Sequence, residues 1–326
     1  MGTKMQNSVD TRKFHKPVMV SEVLGGLKAD DLAHFKKQIC FVDATVGLGG
    51  HASEFVKRGI FTIGVDADLD ALKLAEEVLS EACPIPHNKK GPGCFKLLHG
   101  NFSRVDKLVR EVYSGPVTGI LFDLGISSMQ LDAPLRGFSF NDVDSPLDMR
   151  LDKKTQEVKA SDLLLLLDKT QLTELFSKVI PRGRAARIAS RVVEERSKKV
   201  ISTVSDFLEI VKPIVYRRRK INEATLPFLA LRMAVNSEAE NLNEALQKAY
   251  ELLGEGGRLA VISFHSGEDR IVKYFFQETE VRGRGEIITR KPVIPSSYEI
   301  SENPRARSAK MRVIEKNEKK IFQKQT

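Results

Sequence analysis

The stretch FVDATVGLGGH, Phe41 to His51, sets three glycines and a histidine behind a short apolar run that ends in an acid. Bare positions at Gly47, Gly49 and Gly50 let backbone N–H groups close on a ligand, and a helix starting there adds positive potential. A further acid, Asp66, ends the second apolar run roughly 20 residues after Gly47, where a carboxylate can accept hydrogen bonds from two ribose hydroxyls. Together these parts describe an adenosyl site. They do not choose the cofactor, because Gly47, Gly49 and Ala52 also satisfy the G-x-G-x-x-A form of a nicotinamide fingerprint. The glycines alone would also serve a tight strand-to-helix turn. His51 has no other histidine spaced to share a metal with it, and from residue type alone it reads as a solvent-facing residue at a helix start.

These residues need strands and helices to hold them. Gln38 to Val42 reads as a strand, Ala52 to Arg58 as a helix, and Ile60 to Val65 as a fully buried strand. Leu69 to Ala82 carries apolar residues at helical spacing. After a loop rich in Pro and Gly, Phe95 to Leu98 reads as a strand, Val105 to Tyr113 as a helix and Thr118 to Phe122 as a strand. This is the βαβ rhythm of a parallel sheet. It breaks between about Pro146 and Pro227, where the text is helical and charged, and then resumes. Ser237 with Glu240 reads as a capping box opening a helix with apolar residues from Leu242 to Leu253. Gly254 to Gly257 reads as the end of that helix, Arg258 to Phe264 as another buried strand, and Glu315 to Thr326 as a fraying charged tail. The fold expected is α/β: a Rossmann-like sheet formed by residues 1–145 and 228–326, with an all-helical insert, residues 146–227, before the fifth strand.

The 326 residues are 41% hydrophobic, enough for a sizeable core. No apolar run is long enough to span a bilayer, and the first ten residues lack a secretory pattern. Three cysteines form no C-x-x-C pair, so a reducing cytoplasm is the simplest expectation. A formal charge of +9 favours polyanionic partners. The arginines gather at Arg182, Arg184, Arg187, Arg191 and Arg196 and again at Arg217 to Lys220, as either a solvated face or a phosphate-binding one.

Longer motifs add a resemblance. HKPVMVSEVL (His15 to Leu24), DATVGLGGH, HGNFS (His99 to Ser103), LFDLGISSMQLD (Leu121 to Asp132), RGFSF (Arg136 to Phe140), PLDMR (Pro146 to Arg150), ALRMAVNSE (Ala230 to Glu238), GGRLAVISFHSGEDR (Gly256 to Arg270) and ENPRARSAKMR (Glu302 to Arg312) resemble, in order, those of the MraW/RsmH family. The resemblance implies a class I methyltransferase sheet and transfer of a methyl group from S-adenosylmethionine to N4 of a cytidine in 16S ribosomal RNA of the small subunit. It also implies a cofactor set of Gly49, Gly50, His51, Asp66, Phe102, Asp123 and Gln130, with no metal. A homodimer stays open. A nicotinamide-dependent oxidoreductase and a non-catalytic ribosome-assembly factor are the competing classes.

The implied chemistry assigns a part to Asp123. The exocyclic amine of cytosine is a poor nucleophile, so an acceptor must hold it in line with the sulfonium methyl. Asp123 ends the fourth strand, where such an acceptor belongs, and orients either the amine or the methionine end of the cofactor. It is followed by Leu124, Gly125 and Ile126, not by the Pro-Pro-aromatic run of many amino-methyltransferases. A stacking surface would therefore come from Phe138, Phe140, or Phe264 with His265. Two stretches depart from the family: IPRGRAARIA (Ile180 to Ala189) stands where an acidic GEERFA precedes RIA, and Gly267 replaces a leucine in FHSGEDR.

Overall fold

A computed structural model gives the fold and describes residues 17–33, 39–84, 94–127, 130–131, 133–214 and 224–317. The second basic cluster, Arg217 to Lys220, and residues 318–326 lie outside the described residues. Two short helices, α1 (Val20–Gly26) and α2 (Ala29–Leu32), precede the sheet. Then come β1 (Cys40–Asp43), α3 (Gly50–Lys57), β2 (Phe61–Asp66), α4 (Leu69–Ala82), β3 (Phe95–His99), α5 (Val105–Val112) and β4 (Val117–Asp123). After β4 the described helices are α6 (Ala160–Leu166), α7 (Lys169–Ser177), α8 (Arg182–Arg196), α9 (Val204–Val211), α10 (Thr225–Val235) and α11 (Glu238–Leu252). The chain closes with β5 (Leu253–Ser263), α12 (Ser266–Val281), β6 (Gly285–Ile287), α13 (Ser297–Glu302) and β7 (Lys310–Lys316).

The sheet runs β3-β2-β1-β4-β5-β7-β6, parallel through β5, with β7 antiparallel to β5 and β6. Both faces are covered, which is why its central strands β1, β2 and β4 read as mostly apolar runs. Alternate residues go to opposite sides. Cys40, Val42, Ile120, Phe122, Leu259 and Val261 pack with α5, α11 and α12, whereas Phe41, Leu121, Ala260 and Ile262 pack with α1 and α3. Strand order reverses between β1 and β4, so a crevice opens at their carboxyl ends, where Asp43 and Asp123 stand.

Helices α6 to α10 own a separate apolar core. Its members include Leu164, Phe176, Ile188, Val192, Phe207 and Val211, with Ala230 and Leu231 on α10, and it reaches outward to Phe138, Leu147 and Met149 before α6.

Several local expectations are corrected. Ser237 does precede α11, but its backbone is left-handed (φ 47°) and its side chain makes no capping bond, so the Ser237–Glu240 box does not form. Gly254 to Gly257 do not end the helix; they open β5, and at Gly257 a Cβ would lie 3.0 Å from the Val117 carbonyl of the neighbouring strand. The charged tail is ordered further than expected. Glu315 pairs across the sheet with Arg258 at 2.8 Å, and Lys316 donates to the Leu253 carbonyl. Cys83 and Cys94 are joined in a disulfide (Cα–Cα 5.9 Å), because α4 ends and β3 begins side by side. Cys40 stays a thiol in the core, where burial pushes it up to about 12. Among the described residues no helix is long and apolar enough to cross a membrane.

Candidate functional site

The glycine turn joins β1 to α3. Gly47 and Gly49 hold left-handed backbones (φ 51° and 82°), which L side chains adopt only with strain. A Cβ at Gly49 would make only ordinary contact with Ala75 of α4 (3.5 Å), so its backbone angle is what calls for glycine there, whereas at Gly50 a Cβ would come 3.0 Å from Pro17 Cβ. The Asp66 carboxylate, at the end of β2, accepts the Gly47 amide (2.9 Å) through one oxygen and the Asp68 amide (2.8 Å) through the other. It thereby fixes the turn against the neighbouring strand. The Asp123 amide donates to Thr45 Oγ1 (2.7 Å), tying the end of β4 to the start of the same turn.

His51 does not face solvent. It is 5% exposed, and its Nε2 lies 2.8 Å from the Val18 carbonyl while Nδ1 lies 3.5 Å from Asp123 Oδ2. The other Asp123 oxygen, Oδ1, is buried without a hydrogen-bond partner. Desolvation lifts Asp123 to about 7, with the nearby Glu268 charge adding to the shift. Desolvation also lifts Asp43 to about 7, against the pull of His51, and Asp66 to about 6, against its amide bonds. Burial moves His51 the other way, below its ordinary value. Three carboxyls whose ionisation is opposed by burial around one turn form a site in which a cationic ligand would favour their charged forms.

These shifts fix the expected pH response of the ligand-free protein. A carboxyl whose affinity for protons is raised by folding stabilises the native state below its ordinary value and loses that contribution as pH rises through its folded value. For Asp43, Asp66 and Asp123 the window runs from the ordinary 3.8 up to about 6 and about 7. His51 opposes them, one group against three. Thermal melts should therefore show Tm falling from about pH 5 to about pH 8. A Tm that climbs across that range would mean the three carboxyls ionise freely.

The remaining expected cofactor residues lie along the same edge. Phe102 follows β3 and meets Phe122 edge-on (5.8 Å). Gln130 is buried and turned to protein groups: Oε1 accepts the Ser127 amide and Nε2 donates to Asp68 Oδ2 (3.1 Å). Asp68 caps α4 and forms a buried ion pair with Arg136 (2.5 Å), which also donates to the carbonyls of Arg150 and Leu151. A cavity of about 340 Å³ adjoins this end, lined by Ala67, Asn101, Asp152, Gln156, Asn236 and Asn241 among others. Two of the three candidate stacking aromatics are committed to the helical core. Phe138 is 6% exposed, and Phe140 lies edge-on to Phe228. Phe264, half-buried beside Gly125 at the end of β5, remains at the sheet edge.

Sequence reasoning missed one cluster here. His265 caps α12 through Nδ1, which accepts the Gly267 and Glu268 amides, and its Nε2 faces Glu268 at 3.2 Å. Gly267, the departure from the family, matters to that cap because a Cβ there would come 3.0 Å from Nδ1. Glu268 accepts the Phe264 amide, and Glu238 is forked by Arg232 (2.7 and 2.9 Å). Glu238, His265 and Glu268 place one donor atom each within 4.8 Å of one another, but these bonds already occupy most of their metal-binding atoms. The signal was present in NSE and FHSGEDR; their convergence was not.

Strand order with an antiparallel β7, a glycine turn clamped by an acid on β2, and a carboxylate-rich crevice define the class: a Rossmann-like, class I S-adenosylmethionine-dependent methyltransferase. Residues 12–317 match the MraW methylase family, and the chain belongs to it. It is 42% identical over 307 residues to ribosomal RNA small subunit methyltransferase H of Persephonella marina, covering 93% of this chain and 99% of that one. It is 39% identical over 312 residues to the protein of the same name from Dictyoglomus thermophilum, covering 95% and 99%. Among solved structures, an rRNA methylase from Streptococcus thermophilus aligns over 89% of this chain and 95% of its own at 13% identity, with a TM-score of 0.41. The oxidoreductase and the non-catalytic assembly factor are set aside.

Proposed function

We propose that the protein is a cytoplasmic enzyme that moves the methyl group of S-adenosylmethionine to N4 of a cytidine in small-subunit ribosomal RNA. The observation that carries this reading is the gathering of Asp43, Asp66 and Asp123 around the Gly47–Gly50 turn. A sulfonium and an ammonium are the charges such a site lacks. In this reading Gly49, Gly50 and His51 border the methionine end, Asp66 takes the ribose hydroxyls, Phe102 flanks the adenine and Gln130 holds the loop over it. Asp123 orients the target amine. The cofactor supplies an activated methyl group, and the chain's own work is to align, desolvate and accept a proton.

Calorimetric titration with S-adenosylmethionine, S-adenosylhomocysteine and NAD tests the cofactor. The first two should bind and NAD should not, and Asp66→Ala should abolish binding, because it loses both the ribose acceptor and the clamp on Gly47. Binding of NAD alone would overturn the reading. Tritium transfer from S-adenosylmethionine to small ribosomal subunits then tests the acceptor.

For RNA docking we assign residues 146–227 as the recognition unit. Arg182, Arg184 and Arg187 on α8 are exposed, opposite the buried stripe of Ala185, Ile188, Ala189 and Val192. Arg196 has other work, donating to the Leu164 and Leu167 carbonyls at the end of α6. Changing the three exposed arginines to alanine should reduce the salt dependence of RNA binding by roughly one unit of slope for each phosphate no longer neutralised. An unchanged slope would assign RNA docking elsewhere.

A further inference from the structure

Hydrogen-bond logic at His51 leads beyond a contact with the cofactor. The Val18 carbonyl can only accept, so Nε2, 2.8 Å away, must carry a proton. In a neutral imidazole Nδ1 is then a lone pair, and it faces the lone pairs of Asp123 Oδ2 at 3.5 Å. Two acceptors in that position, with the histidine 5% exposed, call for a proton between them. The surroundings reinforce the demand. Asp43 on β1, Glu54 on α3 and Glu299 on α13 all bear on His51, Glu268 on α12 bears on Asp123, and Asp66 on β2 bears on Asp43.

Resting on the methyl-transfer reading above, we infer that His51, which is buried, and Asp123, which is 24% exposed, form one shared proton site, emptied when the sulfonium cofactor binds and refilled by the proton that the amine loses. The balance closes. The amine lone pair forms the N–CH₃ bond while the S–CH₃ pair stays on sulfur, giving a neutral thioether and a cationic amine. Asp123 then takes the N–H proton, shared with His51 Nδ1. One positive charge is present throughout, first on sulfur, then on nitrogen, last as the proton of the pair. A low-dielectric crevice favours such a sequence because its net charge never changes. Asp123 touches the reacting amine, whereas His51 acts through it as a positioning residue, held by its bond to Val18.

The two forms of the cofactor differ by the sulfonium methyl alone, which makes the inference measurable without turnover. Proton release on binding is read by calorimetry at about pH 6.5 in buffers of different ionisation enthalpy, with S-adenosylmethionine and S-adenosylhomocysteine as the ligands. Binding of S-adenosylmethionine should release more, by an amount approaching one proton at about that pH. The difference should vanish in Asp123→Asn and in His51→Asn. Equal release by the two ligands in the wild-type protein, which needs no variant to fold, overturns the proton site and leaves the methyl-transfer reading intact. A difference that survives in Asp123→Asn also overturns it. Failure of both ligands to bind, or binding of NAD alone, counts against the methyl-transfer reading.

Discussion

Asp123→Asn should cut methyl transfer by about 10²–10⁴-fold, the range that a positioned proton acceptor contributes. The substitution keeps shape, and the backbone amide bond to Thr45 Oγ1 survives because it does not involve the side chain. What changes is chemistry. The carboxylate is 24% exposed and one of its oxygens has no partner, so in the proposed reading it can accept from an incoming amine, whereas an amide at that position offers a weaker acceptor or a donor. The group opposite His51 Nδ1 can no longer ionise. Single-turnover rates under saturating cofactor separate this loss from weakened binding, since an effect on the chemical step lowers kcat and kcat/KM together. A loss of less than about tenfold would place the amine acceptor elsewhere, with the backbone carbonyls after β4 as the remaining candidates.

The legible parts of the fold were those set by burial on both faces. CFVD, FTIGVD and VTGILFD announce parallel strands because their middles are almost wholly apolar, the buried Thr62 hydroxyl being satisfied by the Ile60 carbonyl, and α4 reads to the residue from its apolar spacing, with Asp68 capping its start. KMRVIEK was opaque for the opposite reason. Its Lys, Arg and Glu belong to a strand near the sheet edge whose place is decided by pairing with β5, through Arg258–Glu315 and through Arg312 on Asp269 of α12. The Ser237–Glu240 pattern misled because capping depends on a backbone angle that sequence does not carry. In the site, residue types spoke for Asp66 and the glycines, whose roles follow from one turn. His51 read as exposed because the residue that buries it, Val18, reaches it from a segment far away in the chain. The His265 cap, the Arg232–Glu238 fork and the Cys83–Cys94 link share that character, each pairing groups that only the folded sheet brings together.

Arg136→Met should cost the native state about 3–5 kcal/mol, the usual penalty for removing one partner of a buried ion pair. The arginine is 11% exposed and Asp68 only 4%, so the orphaned carboxylate cannot replace its partner with water. Asp68 would keep the Asp70 amide and the Gln130 amide, both neutral donors. The Arg150 and Leu151 carbonyls would each lose a donor, while Met retains the apolar packing beside Phe138. Equilibrium urea unfolding measures the loss, and Asp68→Asn tests its origin. Asn still caps α4 but carries no charge to strand, so Asp68→Asn with Arg136→Met should be more stable than Arg136→Met alone. If the two substitutions simply add, the stability lies in the carbonyl bonds and not in the ion pair. The distinction bears on function because Asp68 stands two residues beyond Asp66, whereas Arg136 leads into the segment that joins the helical core. A strong coupling means that the chain docks its helical core through the same turn that would hold the ribose, so loosening Arg136 should weaken cofactor binding without touching a proposed cofactor residue.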